Sequence, residues 1–304
     1  MARVILCALG DDDRLQDVVA TGRALSEAGR FRPLFVHVAA PPIRLPPPLG
    51  TTGGSSSNVR GADPLSGSFE ELVEQGAEDG VRLLRGAGIV EDESIVVTGD
   101  AVAQLNRLAE ERDAALVVVG AARHGTLSGT LLGSVPHALV RDGARPVLIA
   151  RGNRLPALGG PVVCGVDAST GESARRTVAH AAGLASSMGR RLILVHVLSN
   201  PPLPPGAGPV LTPVALEPTA RERAAARRAL EDLGRRLPAE AIETVVVSGT
   251  SVAACLDDVA DERAADLLVV GRRARGPVRS AIGGSVSLEL LRHARLPLVI
   301  VPPA

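Results

Sequence analysis

The stretch VVVGAARHGTLSGTLLGSVPHALVRDGARPVLIA at residues 117–150 returns as LVVGRRARGPVRSAIGGSVSLELLRHARLPLVIV at residues 268–301. Gly120 matches Gly271 and Gly133 matches Gly284, at an offset of 151 residues in both pairs. In both copies an apolar run ends at the first glycine, and a Gly-Ser pair opens a helical pattern. Backbone amides at such a helix start form a cradle for a phosphate group. The chain therefore contains one fold twice, with a candidate anion site in each copy.

The composition is that of a globular protein with balanced charge. A length of 304 residues with 45% hydrophobic and 22% charged residues indicates two domains of ordinary size. Basic and acidic residues number 33 each, so net charge does not indicate binding to nucleic acid or to an anionic membrane. The absence of Trp and Tyr removes the aromatic platforms on which single-stranded bases stack. We therefore expect no nucleic-acid partner and no membrane partner.

The N-terminus and the cysteines both predict a cytoplasmic protein. The opening MARVILCALGDDD has an apolar run that is too short for a signal peptide and is followed by three acids. Three cysteines, Cys7, Cys164 and Cys255, cannot build a disulfide framework and are interpreted as small buried hydrophobic residues.

Each half alternates short apolar runs with amphipathic segments. Continuous runs of Val, Ile and Leu are typical of strands buried on both faces, and their alternation with helices predicts parallel sheets with helical crossovers. The predicted strands are residues 4–9, 34–38, 94–98, 116–119 and 147–150, then 162–166, 192–197, 244–247, 267–270 and 298–301. Capping-box spacing predicts helix starts at Ser68 with Glu71, Ser169 with Glu172 and Thr219 with Glu222.

Ligands of open parallel sheets bind beyond the carboxyl ends of the strands. Asp167 follows the first strand of the second half, where a carboxylate can accept hydrogen bonds from an adenine amino group or a ribose. The alternative is that Asp167 only orients the helix start. The first half has Gly10 at the matching place.

The two glycine loops differ in how well they suit a phosphate. In the second half the loop leads to Ser285, and its arginines, beginning with Arg272, are either phosphate clamps or exposed side chains. In the first half Ser134 is followed by Pro136, whose missing N–H removes one amide from an anion nest. We therefore expect the second copy to be the better phosphate site.

Metal and catalytic sites are not predicted. His37 and His196 each stand in a Val-His-Val strand without Cys, Asp or a second His at ligand spacing, so both are interpreted as structural. No nucleophile has an identifiable base and orienting group, and no pair of carboxylates suits acid–base work. The sequence predicts a protein that is not an enzyme.

These strands and loops resemble the universal stress protein family, in a tandem form that covers nearly all 304 residues. The resemblance implies an α/β fold with two doubly wound five-stranded parallel-sheet domains of strand order 3-2-1-4-5. It places the domains at residues 1–152, with a degenerate nucleotide site, and 153–304, with a better-preserved one. Family dimers join through the last strand, and residues 147–150 and 298–301 are apolar edges. We therefore expect the two domains to pack as an intramolecular pseudo-dimer.

The ATP-binding members of that family carry a Gly-x2-Gly-x9-Gly-Ser/Thr loop. Carried over to this chain, the resemblance implies nucleotide contacts in the second half from Asp167, Val197, Gly271, Gly284, Ser285, Val286 and Ser287. It implies weaker contacts in the first half from Val38, Gly120, Gly133 and Ser134. Both copies depart from the pattern at its middle glycine, replaced by Arg123 and Ala274. A Cβ there restricts close approach of the backbone to phosphate.

Two functional classes stay open at this point. One is a non-enzymatic stress-response or signalling protein that binds ATP or another adenine nucleotide, chiefly in the second half, with Mg²⁺ accompanying ATP. The other is a nucleotide-free protein-interaction module that uses surfaces such as the Pro/Gly/Ser-rich stretches at residues 41–67 and 200–218. Homo-oligomerisation through the domain surfaces is compatible with both.

Overall fold

The computed structural model of the chain describes residues 2–10, 14–40, 69–90, 93–121, 134–151, 159–168, 171–200, 217–235, 237, 242–272 and 286–303. The elements of the first half are β1 (Arg3–Leu9), α1 (Leu15–Ala28), β2 (Phe31–Ala39), α2 (Phe69–Gly86), β3 (Ser94–Thr98), α3 (Ala101–Glu111), β4 (Leu116–Gly120), α4 (Ser134–Asp142) and β5 (Val147–Ala150). Those of the second half are β6 (Val162–Gly165), α5 (Glu172–Ser187), β7 (Leu192–Ser199), α6 (Ala220–Gly234), β8 (Ile242–Gly249), α7 (Val252–Glu262), β9 (Leu267–Gly271), α8 (Val286–His293) and β10 (Leu298–Val301).

All ten strands form one sheet in the order β3-β2-β1-β4-β5-β10-β9-β6-β7-β8. Counted within each half, the order is 3-2-1-4-5, as predicted, and all pairs within a half are parallel. The two halves meet through β5 and β10, which run antiparallel with Val299 opposite Leu148. The predicted pseudo-dimer through the last strands is therefore confirmed.

The joint between the halves is stable because it is apolar on both faces of the sheet. Every residue of β5 and of β10 is buried, and a fully buried Val, Leu or Ile side chain contributes about 1.5–3 kcal/mol to folding. Two strand edges that would attract other chains if exposed satisfy each other here. Arg151, directly after β5, adds a polar contact across the joint: its Nη2 donates to the carbonyl of Leu291 at 2.7 Å, at the C-terminus of α8.

Helix α5 buries the face on which its apolar residues recur with a 3.6-residue period. The buried residues of this face are Ala174, Val178, Ala181 and Ala185, with Met188 at the helix end.

Of the three predicted helix caps, one is confirmed. Thr219 and Glu222 form the expected capping box at α6.

The predicted cap of α5 at Ser169 is wrong. The N-cap residue is Gly171, whose φ of −66° and ψ of 161° supply the extended cap conformation without a side-chain hydrogen bond. A glycine is an acceptable N-cap, so the helix begins two residues later than the Ser-x-x-Glu spacing indicated. Ser68, the third predicted cap, lies outside the described residues.

Strands β2 and β8 are longer than predicted. β2 begins at Phe31, and Pro33 within it pairs with Ile5 of β1, whereas pairing with β3 begins only at Phe35. At Pro33, β2 has no neighbour on the β3 side, so the missing N–H of the proline does not cost a hydrogen bond to that strand. β8 is the edge strand of the second half. It begins at Ile242, two residues before the predicted start, because Glu243 interrupts the apolar run from which the strand was predicted.

Residues 41–67 and 201–216, which make up nearly all of the two Pro/Gly/Ser-rich stretches, lie outside the described residues, as does the predicted domain boundary between residues 152 and 153. The start of the second half is anchored just before β6, because the amides of Gly159 and Gly160 donate to the buried Asp266 carboxylate at 3.2 and 3.1 Å. Among the helices within the described ranges, none has the length and apolar character needed to cross a bilayer.

Candidate functional site

Each half has a cavity at the carboxyl ends of its strands. The cavity of the first half measures about 620 Å³ and that of the second about 630 Å³. Each lies where the first and fourth strands of its half diverge toward helices on opposite faces, which is where open parallel sheets bind ligands. We call them the first cavity and the second cavity.

The floor of the second cavity depends on Gly271. A Cβ at this position would lie 2.5 Å from Oγ1 of Thr177, a buried residue of α5. Thr177 is held in place because its Oγ1 donates to the Ser173 carbonyl at 2.8 Å. Only a glycine at the end of β9 fits against this rigid side chain, and both residues line the cavity.

Asp167 stands at the rim of the second cavity, exposed and two residues beyond β6. Its neighbours are fixed by His196 of β7, whose Nδ1 lies 3.0 Å from the Val166 carbonyl oxygen and 3.1 Å from the Ala168 amide nitrogen. His37 makes the matching contact in the first half, with Nδ1 at 3.1 Å from the Leu9 carbonyl oxygen. Both histidines also line their cavities, so the structural role assigned to them stays a prediction.

The structure brings four of the predicted contacts of the second half together at one cavity. Asp167, Val197, Gly271 and Val286 all line it. Ser287, in the first turn of α8, is 6% exposed and is absent from the part of the lining that the structure describes. Gly284 and Ser285 lie outside the described residues. The second cavity thus has an apolar wall, the Asp167 carboxylate at its rim, and an edge at which Gly271 and the first residue of α8 lie.

The first cavity is built from matching residues but differs in where its charged side chains lie. Val38, Gly120 and Ser134 line it as predicted, whereas Gly133 lies outside the described residues. Gly10 occupies the place of Asp167, and Pro136 stands in the first turn of α4. No carboxylate therefore follows the first strand at the described rim of this cavity.

Arg14 also lines the first cavity, although it was not among the predicted site residues. Its side chain is 16% exposed and forms a 2.6 Å ion pair with Asp17. Its Cβ lies 2.6 Å from the place where a Cβ at Gly120 would stand, so Arg14 crowds the floor of the cavity. A Ser, Ser173, holds the corresponding position in the second half. The signal was available in sequence as an arginine at the N-cap of α1, directly after three aspartates.

Arg272 takes neither of the roles that the sequence left open. It lines the second cavity, but its Nη1 donates to the Val140 carbonyl at 2.6 Å and to the Arg141 carbonyl, across the joint between the halves. The carbonyls at the C-terminus of α4 carry partial negative charge and suit a guanidinium. This contact mirrors the one that Arg151 makes with α8.

Within the part of the chain that the structure describes, no group of three or more His, Cys, Asp or Glu side chains is arranged to hold a metal ion.

Comparison with known proteins identifies relatives for both halves. The sequence model of the Universal stress protein family matches residues 1–151 and 160–302. Universal stress protein Rv2005c of Mycobacterium tuberculosis is 31% identical over 191 residues, which is 62% of each chain. A universal stress protein of Mycolicibacterium smegmatis is 28% identical over 194 residues, or 63% of each chain. The match thus spans less than two thirds of the length of these relatives.

A solved structure shows the same fold over the whole length. The universal stress protein from Archaeoglobus fulgidus aligns with 99% of this chain and 98% of its own, with a TM-score of 0.68 and 17% identity.

Proposed function

Because this chain belongs to the universal stress protein family, with one copy of the domain in each half, we propose that it is a non-enzymatic stress-response protein whose second cavity binds an adenine nucleotide. One observation carries the proposal: Asp167, Val197 and Gly271, which the family resemblance implies as nucleotide contacts, line a single cavity of about 630 Å³ at the strand ends. That volume lies within the range of roughly 300–1,000 Å³ usual for small-ligand sites.

The parts of the cavity suit the parts of a nucleotide. Val197 with Val166 and Leu256 provides an apolar wall for a flat base. His196 contacts the backbone of the residues on either side of Asp167, and the Asp167 carboxylate would accept hydrogen bonds from an exocyclic amine or a ribose hydroxyl. The edge at Gly271 leads toward α8, whose N-terminal amides would face a phosphate.

We propose that the second cavity is preferred over the first. In the first cavity Gly10 offers no carboxylate, and Pro136 removes an amide from the start of α4. Arg14, paired with Asp17 and placed against Gly120, occupies the position that Ser173 holds in the other half. About one nucleotide per chain is therefore expected.

Binding, not turnover, is the proposed activity. A nucleotide that binds only the folded chain stabilises it by RT ln(1 + [L]/Kd), about 2.7 kcal/mol at a concentration of 100 Kd. The stability of the second half would thus rise with the concentration of the nucleotide.

Isothermal titration calorimetry with ATP and with AMP, each with and without Mg²⁺, tests the proposal. We expect a stoichiometry near one, and Asp167→Ala should weaken binding about ten- to a hundredfold through loss of charged hydrogen bonds. Asp79→Ala is the matched control, because Asp79 is a carboxylate that lines the first cavity; it should bind like the unmodified protein. Two equal sites, or an unchanged Asp167 variant, would overturn the site assignment. No binding at millimolar nucleotide would favour the interaction-module function instead.

A further inference from the structure

A cluster of cationic side chains lies at the seam between the two halves, apart from both cavities. Arg3 at the start of β1 and Arg145 before β5 belong to the first half, and Arg176 and His180 belong to α5 of the second. We propose that these four side chains, the seam cluster, form a binding site for a compact multivalent phosphate anion, for which inorganic pyrophosphate is the probe.

Helix α5 brings two members of the seam cluster to one face. Arg176 and His180 are four residues apart, so they lie one helical turn from each other. Gly183 continues the same face, and Nη1 of Arg3 lies 3.6 Å from the position that a Cβ at Gly183 would take. The guanidinium of Arg3 thus reaches across the seam onto α5, within about one turn of His180.

Arg145 approaches from the first half and is anchored beside Arg3. Its Nη1 donates to the Ala114 carbonyl at 3.2 Å and to Asp113 Oδ1 at 2.9 Å. The next residue, Ala115, donates its amide to the Val4 carbonyl at 2.8 Å, which places this anchor next to the start of β1. Asp113 is 91% exposed, so solvent screens its charge and it offsets Arg145 only in part.

The seam cluster has more positive charge than its surroundings neutralise. Among the described residues no carboxylate pairs with Arg3, Arg176 or His180, and the buried Nε of Arg176 has no hydrogen-bond acceptor. Burial, followed by the charges of Arg176, Arg3 and Arg145, lowers the pKa of His180. Buried donors in native proteins nearly always have a partner. An anion at this place would supply the acceptor and relieve the repulsion.

The fold itself does not require these cations, as the other half shows. The halves correspond through the glycines that end β4 and β9: a side chain at Gly120 would contact Val18 of α1, and one at Gly271 would contact Thr177 of α5. With the strand registers, this correspondence puts Asp17 in place of Arg176, Thr21 in place of His180, Gly160 in place of Arg3 and Leu296 in place of Arg145. The seam related by the pseudo-twofold axis therefore has none of these cations, and the cluster exists on one side only.

Phosphate is the anion that these donors fit best. Guanidinium groups bind phosphate oxygens through two parallel N–H donors, and three of them can surround one multivalent group. A neutral histidine beside them can take up a proton when the anion arrives. Arg3 is exposed and Arg145 is 31% exposed, so an anion in solution can reach the cluster.

Calorimetric titration with inorganic pyrophosphate at low ionic strength, in a buffer without phosphate, tests the site. We expect one saturable site per chain, weakened at least about tenfold by Arg176→Gln and by Arg3→Gln. The matched control is Arg175→Gln, because Arg175 is adjacent on α5 but pairs with Glu172; its affinity should be unchanged. Gly271→Ala, which disturbs the second cavity, should also leave pyrophosphate binding intact. Loss of binding in the cavity variant alone, or unchanged affinity in both seam variants, would overturn the proposal.

Proton uptake gives an independent readout of His180. Burial, followed by the charges of Arg176 on its own helix and of Arg3 and Arg145 from the first half, lowers the pKa of His180 and so favours its neutral form. A bound anion raises that pKa, so His180 should take up a proton when the anion binds. Titrations in two buffers of different ionisation enthalpy should show proton uptake on binding. The uptake should vanish in His180→Gln, and uptake that persists there would exclude His180 from the site. Orthophosphate, run in parallel, should bind more weakly than pyrophosphate because it carries less charge; equal or tighter binding would count against a multivalent site.

Discussion

Replacement of Gly271 by Ala tests whether the contact between β9 and α5 shapes the second cavity. The new Cβ would lie 2.5 Å from Thr177 Oγ1, and 3.6 Å from Thr177 Cβ. Only the hydroxyl is in conflict, since 3.6 Å is an ordinary contact. Thr177 cannot easily rotate away, because it is β-branched, 3% exposed and bonded through Oγ1 to the Ser173 carbonyl at 2.8 Å.

The expected cost follows from this geometry. An extra methyl group in a well-packed site costs about 1–3 kcal/mol, and rotation of Thr177 would also forfeit a hydrogen bond worth about 0.5–1.5 kcal/mol. We therefore expect Gly271→Ala to destabilise the protein by about 1–3 kcal/mol. Because Thr177 lines the second cavity, a displaced side chain should also weaken adenine-nucleotide binding there.

A rescue variant isolates the contact. Thr177→Ala removes the hydroxyl in conflict, so Gly271→Ala should cost much less in that background, with a coupling free energy of about 1–2 kcal/mol. Denaturant unfolding followed by far-UV circular dichroism is the assay, because the chain has no Trp or Tyr. The control is Gly86→Ala, where a Cβ would meet nothing within 4 Å. Equal stability of Gly271→Ala and the unmodified protein, or additive effects of the two substitutions, would refute the reasoning.

Four further outcomes are expected. Val299→Lys buries an unpaired charge where β5 meets β10, and should lower the unfolding free energy by about 3 kcal/mol or more, measured by denaturant titration. Arg272→Gln removes a charged donor from the carbonyls at the end of α4, and should cost about 1–3 kcal/mol and speed amide exchange in that helix. ATP turnover should stay on the order of a few per hour, against ~10 s⁻¹ for a median enzyme; a rate near 1 s⁻¹ would contradict the non-enzymatic function. Burial raises the pKa of Cys164 to about 12 and also raises that of Cys7, so mass spectrometry after alkylation of the native protein at about pH 8 should find the adduct at the half-exposed Cys255 first.

The sequence was sufficient for the sheet because its order follows from features that repeat. The last strands of the two halves are short and wholly apolar, and the glycine loops that precede them have the same length and matching glycines at both ends. An apolar strand at a sheet edge needs a partner, and the pseudo-symmetric copy within the same chain is the nearest one. Asp167 and the glycine loop that begins at Gly271 could be placed at the cavity for a related reason, because both follow strands whose carboxyl ends lie at one edge of the sheet. Val197 was implied only by the family resemblance.

The sequence did not predict the contacts that long arginine side chains make between the two halves. Arg272 could be assigned to the second cavity by its position after Gly271, but nothing local indicates that its guanidinium caps α4 of the other half. Arg3 and Arg176 are far apart in the chain, and only the antiparallel pairing of β5 with β10 brings the amino end of β1 against α5. An arginine side chain spans several ångströms, so its partner depends on where neighbouring elements lie once the two copies have docked. Such contacts differ between the copies, as Arg14 and Ser173 do, and comparison of one half with the other could not supply them. The features that repeat therefore determine the fold, and those that do not repeat distinguish the two cavities and the seam.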